Sequence, residues 1–309
     1  MPGKRPKLVV VCGPTATGKT SLAIEIATQF GGEIVNADSM QVYRYMDIGT
    51  AKPTPAEQQR ARFHGIDVAD PDNTFSTGRF KETAERAVAE ILSRKKTPVV
   101  AGGTGLYIKA LVRGLWDGPS ADAELRRGYK DLEAARPGAL YRRLREVDPI
   151  RAAQVAPADF VRIERALEVF DLTGRAISDW QREHAFAESP YRVLQIGLSR
   201  DRAELAAAVD ARVDAMMALG WLREVRELRE RGYGPELPSQ AAIGYKELHQ
   251  HLDGELTLTE AVEQAKKSTR RFVKRQRTWF GADASIVWFD ALTERAAAMS
   301  RCVEFVAET

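Results

Sequence analysis

The stretch Gly13-Pro14-Thr15-Ala16-Thr17-Gly18-Lys19-Thr20 constrains this chain more than any other. It fits the spacing G-x-x-x-x-G-K-[ST], and its surroundings suit that motif. Leu8-Val9-Val10-Val11 ahead of it reads as a buried strand, and Ser21 to Phe30 behind it carries apolar residues at helical spacing. Gly13 and Gly18 let the backbone aim several amide N–H groups at one anion, and the start of the next helix adds the positive end of its dipole. Lys19 supplies a mobile point charge and Thr20 a hydroxyl suited to Mg²⁺. The loop selects a diphosphate or polyphosphate group, and ATP or another nucleotide is one such ligand. The fold class that follows is α/β, a P-loop NTPase-like parallel sheet flanked by helices.

Further along, Glu33-Ile34-Val35-Asn36 reads as a second strand that runs into Ala37-Asp38-Ser39-Met40-Gln41. A carboxylate at the end of a strand in an open parallel sheet falls in the crevice where such folds bind ligands. From the residues alone Asp38 has three readings: a partner of hydrated Mg²⁺, a general base, or a helix N-cap. Asp47-Ile48-Gly49-Thr50-Ala51-Lys52-Pro53 is a loop without periodicity, of the kind that binds ligands. His64 to Val68 reads as a short strand, Ser76 to Lys96 as an amphipathic helix, and Pro98-Val99-Val100-Ala101 as a third buried strand. Gly102-Gly103-Thr104-Gly105 then leads from that strand into a helix over Leu106 to Arg113. Two such turns at one sheet edge can put amides on both sides of one diphosphate.

The alternation of strands and helices stops in the middle of the chain. Helical patterns over Ala123 to Ala135, Ala139 to Val147 and Ala158 to Thr173 predict an all-helical insertion domain at 116–191, within a core formed by 1–115 and 192–309. Arg192 to Leu198 reads as a strand returning to the sheet. Arg202 to Ala218 and Trp221 to Arg231 read as helices, and another opens at Gln240. The net charge is only +3, so any affinity for nucleic acid has to come from local clustering. The cluster exists: Lys266, Lys267, Arg270, Arg271, Lys274, Arg275 and Arg277 stand close together beside Trp279 and Phe280. Cations this dense repel one another unless a polyanion neutralises them, and the aromatics suit base stacking, so an RNA contact is expected here. The four histidines and two cysteines show no metal-ligand spacing, and no apolar run approaches a membrane span. A cytoplasmic protein without membrane attachment, acting as a monomer, is expected.

Three stretches together resemble the bacterial tRNA dimethylallyltransferase family, also called tRNA isopentenyltransferases or IPP transferases. They are Gly13 to Thr20, Asp38-Ser39-Met40-Gln41-Val42-Tyr43 through Asp47 to Pro53, and Gly102-Gly103-Thr104-Gly105-Leu106-Tyr107. The resemblance continues through Arg165 to Val169, Ile243-Gly244-Tyr245 and Lys274 to Trp279, with no departure at a position implied in catalysis. It implies transfer of the dimethylallyl group of dimethylallyl diphosphate to N6 of the adenosine 3′ of the anticodon, with release of diphosphate. Under it, Gly13 to Thr20 hold the donor's diphosphate, with Lys19 catalytic and Thr20 on Mg²⁺. Asp38 is the base for the amine, and Thr104 meets the pyrophosphate or the transition state. The anticodon stem-loop of tRNA is the implied partner. Its contacts map to Asp38, Ser39, Met40, Gln41 and Thr104, to Arg126, and to Val161, Arg162, Ile163, Glu164 and Arg165. They continue at Ala241, Ala242, Ile243, Gly244, Tyr245 and Lys246, and at Lys274, Arg275, Gln276, Arg277, Thr278, Trp279, Phe280 and Gly281.

Two rival classes share some of these residues. A nucleoside or small-molecule kinase uses the same loop and a strand-end aspartate, but has no use for the basic helix. A non-catalytic RNA-binding ATPase leaves the second glycine turn and the Asp-Ser-Met-Gln stretch without a task.

Overall fold

In a computed structural model that describes residues 5–116, 118–184 and 189–308, the apolar run after Pro6 becomes the strand on which the sheet is centred. Strand β1 (Lys7–Cys12) turns Leu8, Val10 and Cys12 to one face and Val9 and Val11 to the other, and all five are fully buried. A strand apolar on both sides requires helices on both sides. These follow in chain order as α1 (Lys19–Gln29), β2 (Glu33–Asn36), α2 (Pro55–Arg60), β3 (Phe63–His64), α3 (Thr77–Ser93), β4 (Pro98–Ala101) and α4 (Gly105–Arg113). Next come α5 (Ala123–Ala135), α6 (Ala139–Val147), α7 (Pro149–Gln154), α8 (Phe160–Thr173) and α9 (Ile177–His184). The chain closes with β5 (Arg192–Ser199), α10 (Arg202–Ala218), α11 (Trp221–Glu230), α12 (Tyr245–Leu252), α13 (Leu258–Gly281), β6 (Ile286–Asp290) and α14 (Arg295–Ala307).

Among the described residues the strands form one parallel sheet in the order β3-β2-β4-β1-β5-β6. Met1–Val112 and Ser189–Thr309 make one compact unit, and Arg113–Glu188 make the other. The register of the sheet sets up the site. β1 pairs with β4 through Val11 and Ala101, and β2 pairs with β4 through Asn36 and Ala101. Three loops therefore leave the sheet side by side: the one after Cys12, the one after Ala101 and the one after Asn36. Gly102 permits this closeness, because a Cβ there would lie 2.1 Å from the Ala37 carbonyl oxygen.

The unit Arg113–Glu188 has its own small core of Tyr129, Leu140, Leu144, Ile163, Leu167 and Val169. At its centre Glu168 is fully buried and accepts hydrogen bonds from both the Nε and an Nη of Arg126, from Arg165 and from the Asp122 amide. Burial alone would raise its pKa; the Arg126 and Arg165 hydrogen bonds outweigh burial and bring it down to about 2.

Some elements differ from the sequence expectation. The strand expected over His64 to Val68 ends at His64, because Gly65 and Asp67 take left-handed φ values of 78° and 54°. The helix expected from Gln240 begins at Tyr245; a 3₁₀ turn over Pro238–Ala241 precedes it, and Gly244 at φ 87° breaks the path between them. Helices α2, α7 and α9 are too short for the periodicity of their side chains to stand out.

Candidate active site

The loop between β1 and α1 takes the shape its glycines predict. Gly13 has φ 130°, and a Cβ there would lie 2.4 Å from the Leu198 carbonyl oxygen; Gly18 is left-handed at the N-cap of α1. Thr17 Oγ1 and Lys19 Nζ both donate to the Pro14 carbonyl, at 2.9 and 2.6 Å, so the lysine lies folded over the loop. Burial, helped by Arg212 and opposed by Asp38, lowers the Lys19 pKa to about 8. Below the loop, burial pushes the Cys12 thiol up to about 12, which leaves it protonated and inert.

A cavity of about 630 Å³ opens over this loop. Thr15, Gly18, Lys19 and Thr20 line one side, and Asp38, Gln41, Gly102 and Gly103 line it from the neighbouring turns. Arg212 of α10 also lines the cavity. The Asp38 carboxylate accepts the Met40 amide at 2.9 Å and closes a local turn. No helix follows that turn, so the reading of Asp38 as a helix N-cap falls away. Thr104 stands apart from the cavity lining: its hydroxyl accepts the Ser39 amide at 3.0 Å and donates to Ser39 Oγ at 3.2 Å, tying the second glycine turn to the Asp38 turn.

The basic helix contributes more than charge. Gln276 is buried, and its side chain bridges the two glycine-rich loops. Its Oε1 accepts the Thr15 amide of the phosphate loop at 2.9 Å, and its Nε2 donates to the Gly103 carbonyl at 2.9 Å. A Cβ on Gly103 would lie 2.3 Å from Gln276 Nε2, and one on Gly105 would lie 2.0 Å from Trp279 Nε1. Gly103 and Gly105 are thus small because α13 packs on them, a requirement separate from the expected second diphosphate cradle.

Of two further cavity residues, Arg212 has no place among the sequence expectations and Gln276 has one only as an RNA contact, yet both carry a signal in the chain. Arg212 sits on the buried stripe Val209, Val213, Met216 of α10, where a charge needs a reason. Gln276 sits on the stripe Val273, Phe280 of α13. The charge cluster of α13 needs correction too. Lys266 pairs with Asp214 at 2.8 Å and with Glu263 at 3.2 Å, and Arg270 pairs with Asp210. Carboxylates of α10 therefore relieve part of the repulsion without any polyanion. Among the described residues Lys267, Arg271, Lys274, Arg275 and Arg277 have no such ion pair.

The remaining expected RNA contacts divide by exposure. Lys274, Arg275, Arg277, Thr278, Trp279 and Gly281 are exposed, whereas Gln276 and Phe280 are buried. In the next stretch Ala241 and Lys246 are exposed, Ala242 and Ile243 are half-buried, and Gly244 and Tyr245 are buried. Within the helical unit Val161 and Arg162 are exposed and Ile163 and Glu164 are buried, while Arg126 and Arg165 both hold Glu168. The buried members of these stretches shape the surface rather than form it.

Comparison with known proteins adds to this geometry. A family model described as IPP transferase matches residues 41–283. The chain is 51% identical over 288 residues to tRNA dimethylallyltransferase 2 of Syntrophus aciditrophicus, covering 93% of each protein. It is 50% identical over 286 residues to tRNA dimethylallyltransferase of Syntrophobacter fumaroxidans, covering 92% of this chain and 83% of that protein. Among solved structures it is similar to the tRNA isopentenylpyrophosphate transferase of Bacillus halodurans, with a TM-score of 0.72 and 38% identity over 97% of this chain and 95% of the other. It is also similar to a eukaryotic dimethylallyltransferase acting on tRNA, with a TM-score of 0.82 and 30% identity over 96% of this chain and 78% of the other.

Two measurements test the loop with pyrophosphate as probe. Its affinity should fall as pH rises through about 8, where the free protein's Lys19 gives up its proton. A Lys19→Arg variant keeps its charge and shares pyrophosphate's own titration, so its curve should lack that extra fall. Gln276→Leu removes both bridging bonds and should weaken pyrophosphate binding by about tenfold, the worth of one or two hydrogen bonds, without loss of helix content by circular dichroism.

Proposed function

This chain belongs to the IPP transferase family, and from that premise we propose that it is a tRNA dimethylallyltransferase, moving the dimethylallyl group from its diphosphate to N6 of the adenosine 3′ of the anticodon. The observation that supports this best is the single cavity in which the phosphate loop, Arg212 and the strand-end Asp38 meet.

The chemistry asks for three things. The allylic C–O bond breaks as the adenine nitrogen bonds to the same carbon, so negative charge builds on the departing diphosphate. The phosphate loop, Lys19 and Arg212 line the cavity and supply amide donors and cations for that charge. The adenine amine is a poor nucleophile because its lone pair is delocalised into the ring. Asp38 accepts a hydrogen bond from it, aims it at the carbon and takes its proton as the new bond forms. The base has to leave its stack to reach the cavity, which costs least in a single-stranded loop such as the anticodon loop.

Mg²⁺ fits this site as an ion shared with the donor. Among the described residues no cluster of three or more His, Cys, Asp or Glu could hold a metal, while Thr20, a residue with a hydroxyl, lines the cavity. Thr20 would hold a magnesium ion brought in by the diphosphate, and the ion would offset charge on the leaving group.

Lys274, Arg275 and Arg277 on α13 are the cations we assign to the RNA backbone, with Lys246 beside them in the assignment. In the unit Arg113–Glu188, itself assigned to tRNA, exposed Arg162 is the corresponding residue. No helix among the described residues is long and apolar enough to cross a membrane, in keeping with action on tRNA in the cytoplasm.

The deciding assay supplies dimethylallyl diphosphate labelled in the prenyl group together with unmodified tRNA. Label should enter RNA with one pyrophosphate released per transfer. Phosphate transfer from the γ position of ATP, with no label in RNA, would replace this reading with a kinase. Asp38→Asn should lower kcat by about 10²- to 10⁴-fold, the usual worth of a general base, while RNA affinity stays within a few-fold; an unchanged kcat removes Asp38 from that role. Replacing Lys274 and Arg275 with alanine should reduce the slope of log K against log salt by about 0.7 per lost phosphate contact. An unaltered slope would show that this part of α13 is merely solvated.

A further inference from the structure

Glu224 lies on α11, outside every stretch implicated so far, and only 8% of it is exposed. Among the described residues no cation pairs with it. Its carboxylate instead fills a nest of backbone donors: Oε2 accepts the amides of Asp47 and Ile48 at 2.9 and 2.6 Å, and Oε1 accepts the amide of Gly49 at 3.1 Å and the hydroxyl of Tyr245 at 2.6 Å. Three consecutive amides converging on one buried carboxylate dictate the path of the loop that carries them. Trp221, one turn earlier on the same helix, closes the other side. A Cβ on Gly49 would lie 2.0 Å from its ring, and one on Gly244 would lie 1.8 Å from it.

The loop held in this way is a wall of the cavity: Asp47, Ile48, Ala51, Lys52 and Pro53 all line it. It also supports the Asp38 turn. Gln41 Nε2 donates to the carbonyls of Thr50 and Ala51, both at 3.2 Å, so the last residue of the Asp-Ser-Met-Gln stretch hangs on this loop. Lys52 is buried and bonded to Asp47, to Asp67 at 2.6 Å and to the Tyr43 carbonyl at 2.8 Å, locking the far end. A connected series of contacts therefore runs from Tyr245 through Glu224 and the 47–51 backbone to Gln41, three residues from Asp38. The phosphate loop has separate supports in Pro14 and Gln276.

We propose that Glu224 is a positioning residue for the acceptor side of the reaction: through the 47–51 loop and Gln41 it holds the Asp38 turn where the adenine amine arrives. The inference rests on the transferase reading above, and it adds a role for a residue that touches neither substrate. Removing its charge lets the 47–49 amides and Gln41 drift and misaligns the base, while the donor's diphosphate remains gripped. The loss therefore falls on kcat, and KM for the donor is spared.

The test measures transfer from labelled dimethylallyl diphosphate to an unmodified anticodon stem-loop for wild type, Glu224→Gln, Tyr245→Phe, Gln41→Leu and the Glu224→Gln/Gln41→Leu double variant. Wild-type transfer is the precondition, so its absence sinks the transferase reading rather than this one. Glu224→Gln should lower kcat at least tenfold with donor KM within threefold of wild type. Tyr245→Phe loses one bond of four and should lower kcat two- to fivefold; it carries the test if Glu224→Gln does not fold. Because both act through one loop, the double variant should be no slower than the slower single variant. A wild-type kcat in the folded variants, a loss confined to donor KM, or effects of Glu224→Gln and Gln41→Leu that multiply would each overturn the proposal.

Discussion

Lys19 and Arg212 share a cavity with Asp38, while Lys52, Asp47, Glu57 and Asp67 also line it, and the behaviour of the two cations follows from how little of their charge is offset. Lys19 is held at a pKa of about 8 because burial and Arg212 both disfavour its charge, and Asp38 offsets them only in part. Burial likewise lowers the Arg212 pKa, and Asp38 again opposes the change. An isolated protein gains little from such an arrangement, since a partly desolvated charge without a close counter-ion costs stability. A dianionic or trianionic ligand reverses the account, because the same cations then meet the charge they lack. Strain of this kind, kept where a ligand relieves it, is a common mark of a functional site.

What holds the cations in place is mostly neutral. The parallel register of β2, β4 and β1 delivers three loops to one edge, and the contacts joining them are backbone or amide groups: Thr104 to Ser39, Gln276 to Thr15 and Gly103, Gln41 to Thr50 and Ala51. Neutral hydrogen bonds fix geometry without adding charge that would compete with the ligand for Lys19 or Arg212. Glu224 is a buried carboxylate that lines a different, smaller pocket and spends its lone pairs on amides and a tyrosine. Its field is thereby satisfied locally.

The parts of this site legible in the chain are those whose signal is local. An apolar run, a glycine-spaced loop and a helix in succession reveal β1, the phosphate loop and α1, and a carboxylate after a second short strand reveals Asp38, because each depends on residues adjacent in sequence. Arg212, Gln276 and Glu224 act on segments 173 to 261 residues away or on a cavity made by tertiary packing. Arg212 and Glu224 show in sequence only as polar residues on an apolar helix stripe, as does Gln276 apart from the family resemblance, a pattern that signals an anomaly without naming its partner. The charge cluster on α13 shows the converse. Its density is plain in the chain, but the neutralising Asp210 and Asp214 lie on α10, so reasoning about repulsion from one helix alone overstates the need for an external anion. Glycine is similarly ambiguous: Gly103 and Gly105 look like a phosphate cradle, yet the atoms that exclude a side chain there belong to Gln276 and Trp279.

Helix α13 joins the phosphate loop and an exposed cationic surface in one element. It runs 24 residues from a Thr257–Glu260 capping box, long and well enough anchored to behave as one body. With 3.6 residues per turn, positions 273, 276 and 280 fall on the buried side, while 274, 275 and 277 are exposed. The inward row carries Gln276 onto the phosphate loop, and the outward row carries the unpaired cations. Neither row can rotate or slide without the other, since a helix transmits displacement along its length far more readily than it bends. A change at the basic surface therefore reaches the Thr15 amide through one helix and one hydrogen bond, and the Gly103 carbonyl through another. The distance between the phosphate loop and the cationic face is set by helix geometry and does not depend on a flexible loop.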